Sequence, residues 1–178
     1  MNFDRKTKDM KKYLLLFLCA FITISVNAQE KKFNYQGEVD LGYSFGLEED
    51  FHYAKIDAIN GVRFSRCFFA GAGIGLARNF SDEEFYIPIY FNAKGYFPVA
   101  NNLDLMAGID VGTKIDYAYE TSGGLLLQPM FGICTAMHKN FALNIALKYE
   151  LYSYRINDSV INSKLKTNQI GISLGFVF

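Results

Sequence analysis

One pattern runs through most of this chain and leaves few folds open to it: apolar and polar residues alternate one for one, in eight successive stretches. In FNYQGEVDLGYSFG, which begins at Phe33, the residues Phe33, Tyr35, Val39, Leu41, Tyr43 and Phe45 share one side. Asn34, Gln36, Glu38, Asp40, Gly42 and Ser44 share the other. Side chains of a β-strand point alternately to its two faces, so a period of two predicts a strand with one greasy and one polar face. The pattern recurs over Ala54–Ser65, Phe68–Phe80, Phe85–Phe97, Leu103–Ala118, Leu125–Met137, Phe141–Tyr154 and Thr167–Phe178, with no helical period between them. Parity blurs near Ile59 and Asn60, and Pro88 and Pro129 interrupt two stretches; bulges or irregular pairings are expected there.

An even number of antiparallel strands of about ten residues each is what a membrane-spanning barrel requires. The connections agree, being longer or more polar after the first, third, fifth and seventh strands (LEEDFHY, SDEE, YETSGG, INDSVINSKL) than after the second, fourth and sixth (RC, PVANN, HKN). The expected fold is all-β, a closed up-and-down antiparallel transmembrane barrel of about eight strands. A soluble lipocalin-like ligand-binding barrel would alternate similarly with its apolar face inward. Bulk argues against it, because eight strands enclose only room for side chains or one small ligand. The apolar face carries Phe33, Tyr35, Leu41, Phe68, Ile74, Ile89, Phe91, Phe97, Ile109, Ile145, Ile172 and more, whereas the opposite face offers Gly71, Gly73, Gly75, Gly108, Gly112, Gly132, Gly171, Ser173 and Gly175 among charges. The apolar face is therefore expected to meet lipid.

The N-terminal stretch bears on compartment. Lys11 and Lys12 precede the run YLLLFLCAFITISV, followed by Asn27, Ala28 and Gln29, the layout of a secretory signal cleaved after Ala28. Residues 1–28 are read as signal peptide and 29–178 as the barrel domain. Removing five basic and two acidic residues from totals of 18 and 18 leaves a net charge of −3, which offers nothing to nucleic acid. Charged residues at 20% are too many for a helical membrane bundle. Cys19 lacks the small preceding residue of a lipoprotein cleavage site, and Cys67 and Cys134 are too few for a disulfide framework, so both are read as small packing residues.

NGVRFSRCFFAGAGIGL (from Asn60), IPIYFNAKGYF (from Ile87) and the terminal ISLGFVF resemble the small OmpA-like and OmpX-like outer-membrane β-barrel proteins, the porin-family outer-membrane β-barrel domain. The resemblance covers Phe33–Phe178. It implies residence in the outer membrane of a Gram-negative bacterium, contact with lipid and lipopolysaccharide, and insertion by the barrel-assembly machinery. It also implies that Phe178, with Phe176 and Leu174, is the signal that machinery reads.

By parity the inward face holds Glu38, Asp40, Asp57, Asp104, Asp110, Asp116 and Glu150 against Lys55, Arg63, Lys94, Lys114 and Lys148. Charges in so narrow a space must pair. A salt-bridged plug is expected, with Tyr86, Tyr90 and Tyr96 also pointing inward; a narrow ion path is the alternative use of the same residues. Some small barrels carry acyl chemistry at the outer rim, and His52 in the first long connection with Ser81 and Asp82 in the second could meet there as a lipid A-modifying site. Their spacing matches no triad signature. The other histidine, His138, falls at the opposite end, so the two cannot share a metal ion. No enzymatic activity, metal or cofactor is expected.

Overall fold

The computed structural model describes residues 33–47, 51–81, 84–116, 124–138, 141–157 and 162–178. The signal sequence expected over 1–28 and the acidic tips at 48–50 and 82–83 lie outside the described residues. Eight strands follow one another: β1 (Phe33–Gly46), β2 (His52–Phe64), β3 (Phe68–Asn79), β4 (Phe85–Ala100), β5 (Leu103–Asp116), β6 (Leu125–His138), β7 (Phe141–Asn157) and β8 (Asn162–Val177). Each pairs antiparallel with the next, and β1 also pairs with β8, so the sheet closes on itself without a free edge along the seam.

Register sets the shape. Partners followed once round, from Asn34 through Arg63, Phe69, Lys94, Gly108, Met130, Lys148 and Gly171, return to β1 at Ser44, ten residues further on. Ten residues at about 3.3 Å each, against eight inter-strand spacings of about 4.8 Å, tilt the strands by about 40° and leave room for side chains only.

The alternation read from sequence becomes an inside and an outside. In β4, Tyr90, Asn92, Lys94 and Tyr96 are buried while Ile89, Phe91 and Phe97 are exposed, Phe91 by 76%. The outer surface is banded. Ile56, Ile74, Ile109, Val111, Ile133, Ile145, Leu147 and Ile172 form an exposed aliphatic belt. At the rim with the short turns, rings cluster as Phe33–Phe64 (5.4 Å between centroids), Phe64–Phe68 (5.9 Å) and Phe141–Phe176 (6.1 Å). At the rim with the long connections, Tyr43 meets Phe45 (5.0 Å) and Phe80 (6.5 Å). An apolar belt between two aromatic girdles is the exterior of a bilayer-spanning barrel.

The seam between first and last strands ends on a reciprocal bond: Gly37 N–H donates to Phe178 O (2.8 Å) and Phe178 N–H to Gly37 O (2.9 Å). The Phe178 ring lies across Gly37 on the outer surface, so that a Cβ there would come within 2.6 Å of the ring. Phe176 and Leu174 continue the same outward row, opposite Val39 and Leu41.

Several local expectations need correction. Ile59 and Asn60 hold an unbroken register with β1; Ile59 is fully buried inside, and Asn60 faces out, accepting from the Tyr35 hydroxyl at 2.5 Å. At Pro88 and Pro129 the expected irregularity is a gap in pairing and not a bulge. Each lacks an N–H, so one ladder beside it skips two pairs and resumes in the same register. The register instead shifts at Pro98/Ala100 and Ala136/His138, next to short turns. Strands run further than the alternation indicated: His52 and Tyr53 belong to β2, Pro98–Ala100 to β4, and 155–157 and 162–166 to β7 and β8. Cys67 is exposed in the β2–β3 turn rather than packed on a strand, while Cys134 is buried.

Candidate functional site

Chemistry-bearing side chains converge in the lumen, in three tiers. Toward the short-turn mouth, the Arg63 guanidinium stacks over the Tyr96 ring at 4.2 Å and faces Asp104 at 3.6 Å. The Gln36 amide donates to the Tyr96 hydroxyl at 3.3 Å. Further in, Lys94 Nζ donates to both Glu38 oxygens at 2.6 Å, and Asn144 Nδ2 donates to Glu38 Oε1 at 2.9 Å. Lys94 and Glu38 are almost wholly withdrawn from solvent, a state that charges tolerate only as a pair with their remaining hydrogen bonds met.

The central tier is acidic. Lys148 Nζ donates to Asp40 Oδ2 at 2.8 Å and lies within electrostatic reach of Asp57 and Asp110. Asp40 and Asp57 are direct cross-strand partners in the β1–β2 ladder, an arrangement of like charges that needs a cation close by. Asn92 Nδ2 donates to Asp110 Oδ1. Toward the long-connection mouth, Glu150 accepts from both Lys55 and Lys114, and from Gln128 Nε2 at 3.3 Å. Lys114 is ringed by Tyr152, Tyr53 and Tyr86, its ammonium 5.1, 5.5 and 5.9 Å from their centroids. Of the twelve charges expected inside, Asp116 takes its backbone place opposite Tyr86, and its side chain lies outside the described residues.

Alternation by chemical type missed part of the filling. Ile59, Phe69, Met106, Leu126, Met130 and Cys134 also point inward and form one apolar cluster with Tyr90 and Tyr96. Parity alone assigns them to the lumen; their apolar character hid it. Glycine provides the space: a Cβ at Gly73 or Gly112 would collide with Tyr90, and one at Gly175 with Asp40. Phe69, Tyr96, Lys94, Met106, Leu126, Glu38 and Asp110 are each less than 2% exposed, so no open water column runs past them. Six lumen oxygens, Asp40 Oδ1, Asp57 Oδ1, Asp110 Oδ2, Asn92 Oδ1, Asn144 Oδ1 and the Tyr90 hydroxyl, have no hydrogen-bond partner among the described residues. Among the described residues no three ligating side chains converge as a metal site would need.

Of the rim residues considered for acyl chemistry, His52 and Ser81 are described, and the Phe80 N–H that precedes Ser81 donates to His52 O at 2.9 Å. His52 opens β2 on the outer surface, its ring between those of Phe45 (5.4 Å) and Tyr43 (6.3 Å). Ser81 sits exposed in the turn after β3, its backbone N–H donating to Asn79 Oδ1 at 3.0 Å. Asp82 lies outside the described residues, as does the side chain of His138.

Fold and interior together define a small transmembrane β-barrel whose lumen is filled by ion pairs and apolar side chains. No protein-family model and no curated protein sequence matches the chain. Among solved structures it is similar to Neisserial surface protein A, with a TM-score of 0.59 at 14% identity over 82% of this chain and 95% of that one. It is similar also to the outer-membrane protein AlkL (0.52, 11%, covering 85% and 93%) and to the outer-membrane enzyme PagL (0.50, 6%, covering 79% and 98%). At these identities the likeness is one of fold.

Proposed function

We propose that the chain is an integral outer-membrane barrel of a Gram-negative envelope, exported through its N-terminal segment, that acts as a structural or surface-interaction protein and neither conducts freely nor catalyses a reaction. The observation that carries this reading is the packed lumen, in which Lys94–Glu38, Lys148–Asp40 and Glu150 with Lys55 and Lys114 close the interior among buried rings. Ion pairs held at 2.6–2.8 Å across a narrow space fill the positions that permeating ions would need. The lipid-facing belt supplies the anchorage, lipopolysaccharide and lipid the surroundings, and the outward row ending at Phe178 the element handed to the assembly machinery.

Two measurements test it. Cell fractionation is expected to place the protein with the outer membrane, extractable only by detergent; recovery in a soluble fraction overturns the membrane reading. In planar bilayers the purified barrel is expected to give no large steady conductance. Reproducible porin-sized openings that vanish when Lys94 or Asp110 is altered would overturn the filled-lumen role and favour an ion path.

A further inference from the structure

The outward surface carries a single charged side chain among the described residues in the parts of strands that pair on both sides. Arg78, exposed near the long-connection end of β3, stands between Ala54 on β2 and Phe85 on β4. A guanidinium set against hydrocarbon is costly at the bilayer midplane and nearly free at the interface, so its position one residue from the end of β3 places it at headgroup depth. Its surroundings hold it there. The guanidinium lies 5.6 Å from the Phe80 ring and 5.5 Å from the Phe85 ring. Phe80 is tied to β2 by its N–H donating to His52 O at 2.9 Å, and its ring meets Tyr43, which stacks on His52. Among the described residues no carboxylate pairs with Arg78 and no group hydrogen-bonds His52 Nδ1.

Resting on the membrane reading above, we infer that Arg78, framed by Phe80 and Phe85 with His52 beside Phe80, is a docking site for the phosphate of an anionic lipid in the leaflet facing the long connections. The chemistry is specific to that partner. A guanidinium presents a rigid fork of donors that matches phosphate oxygens, and stacking on two rings leaves the fork free to point along the surface. Aromatic side chains at that depth align with headgroups while their faces cover the first methylenes of the acyl chains. A soluble anion would meet only the guanidinium; a lipid meets the rings as well.

The test reconstitutes the full barrel into vesicles of phosphatidylcholine mixed with lipid A and reads the lipid retained on the folded protein by native mass spectrometry. Lipid A is expected to be retained over phosphatidylcholine, and Arg78→Gln to lower that preference about fivefold, the factor matching about 1 kcal/mol for one cationic side chain at an anionic surface. Arg78→Lys should keep part of it, dephosphorylated lipid A should be retained no better than phosphatidylcholine, and inorganic phosphate should not compete. Unchanged preference in Arg78→Gln, equal retention of dephosphorylated lipid A, or displacement by inorganic phosphate each overturns the inference. If Arg78→Gln fails to fold, Phe85→Leu serves instead: it keeps the charge and removes one ring, and an unchanged preference overturns the proposal equally. Failure of the wild-type barrel to enter vesicles would instead refute the membrane reading.

Discussion

Lys148→Met tests the logic of the filled lumen most directly. The Lys148 ammonium sits 2.8 Å from Asp40 Oδ2, with both side chains at least nine-tenths buried, and it lies within electrostatic reach of Asp57 and Asp110 as well, which Lys55 and Lys94 respectively also reach. The other central and upper lysines are already engaged: Lys94 holds both oxygens of Glu38, and Lys55 and Lys114 hold Glu150. Methionine matches lysine in length without its charge, so little volume is lost and the cost is mainly electrostatic. Removing one partner of a buried pair costs about 3–5 kcal/mol. At a urea slope of about 2 kcal/mol per molar, the unfolding midpoint is expected to fall by about 2 M. The chain has no tryptophan, so unfolding in lipid vesicles is best followed by far-ultraviolet circular dichroism and by the mobility shift of unheated samples on gels. Asp40→Asn added to Lys148→Met should recover part of the loss, giving a coupling of about 1–3 kcal/mol in the double-mutant cycle. Exposed Lys166, changed to Met, should move stability by no more than about 0.5 kcal/mol. A midpoint for Lys148→Met indistinguishable from that of Lys166→Met would refute the claim that this ammonium holds the central carboxylates together.

Three further outcomes are expected. Arg in place of Ile109 or Ile145, both exposed in the aliphatic belt, should cost about 2–4 kcal/mol near the midplane, and a spin label at position 109 should report lipid rather than water. Gly112→Ser, whose Cβ would meet the Ile89 carbonyl and Tyr90, should lose about 1–3 kcal/mol through overpacking, measured by the same urea titration. Phe178→Asp should lower the folded fraction recovered in the outer membrane, and Gly37→Val, which would drive a side chain into the Phe178 ring, should weaken the barrel seam similarly. Wild-type levels of heat-modifiable barrel in both variants would remove the seam contact from the account.

Inside and outside were legible in the sequence because the two-residue period is a property of each strand alone: whichever strands Lys94 or Ile145 pair with, their neighbours in sequence point the other way. Strand number, antiparallel order and the alternation of long and short connections follow from the same local signal. Prolines 88 and 129 were legible as irregular pairings, and they take that form rather than a bulge because a missing N–H removes ladder bonds without shifting parity. Ile59, Phe69, Met106, Leu126 and Met130 misled because apolar type and inward parity disagree, and only a lumen packed with rings and methyl groups makes both acceptable. Which charge meets which was beyond any local reading. Lys55 with Glu150, 95 residues apart, and Lys94 with Glu38, 56 apart, are brought together by the ten-residue stagger of a closed barrel, and stagger is fixed only when the last strand pairs with the first. The same closure places the Phe178 ring over Gly37, and the β2–β3–β4 registers set Ala54, Arg78 and Phe85 side by side. Such neighbours depend on loop closure and strand register, which are relations between distant segments and leave no periodic mark on the chain.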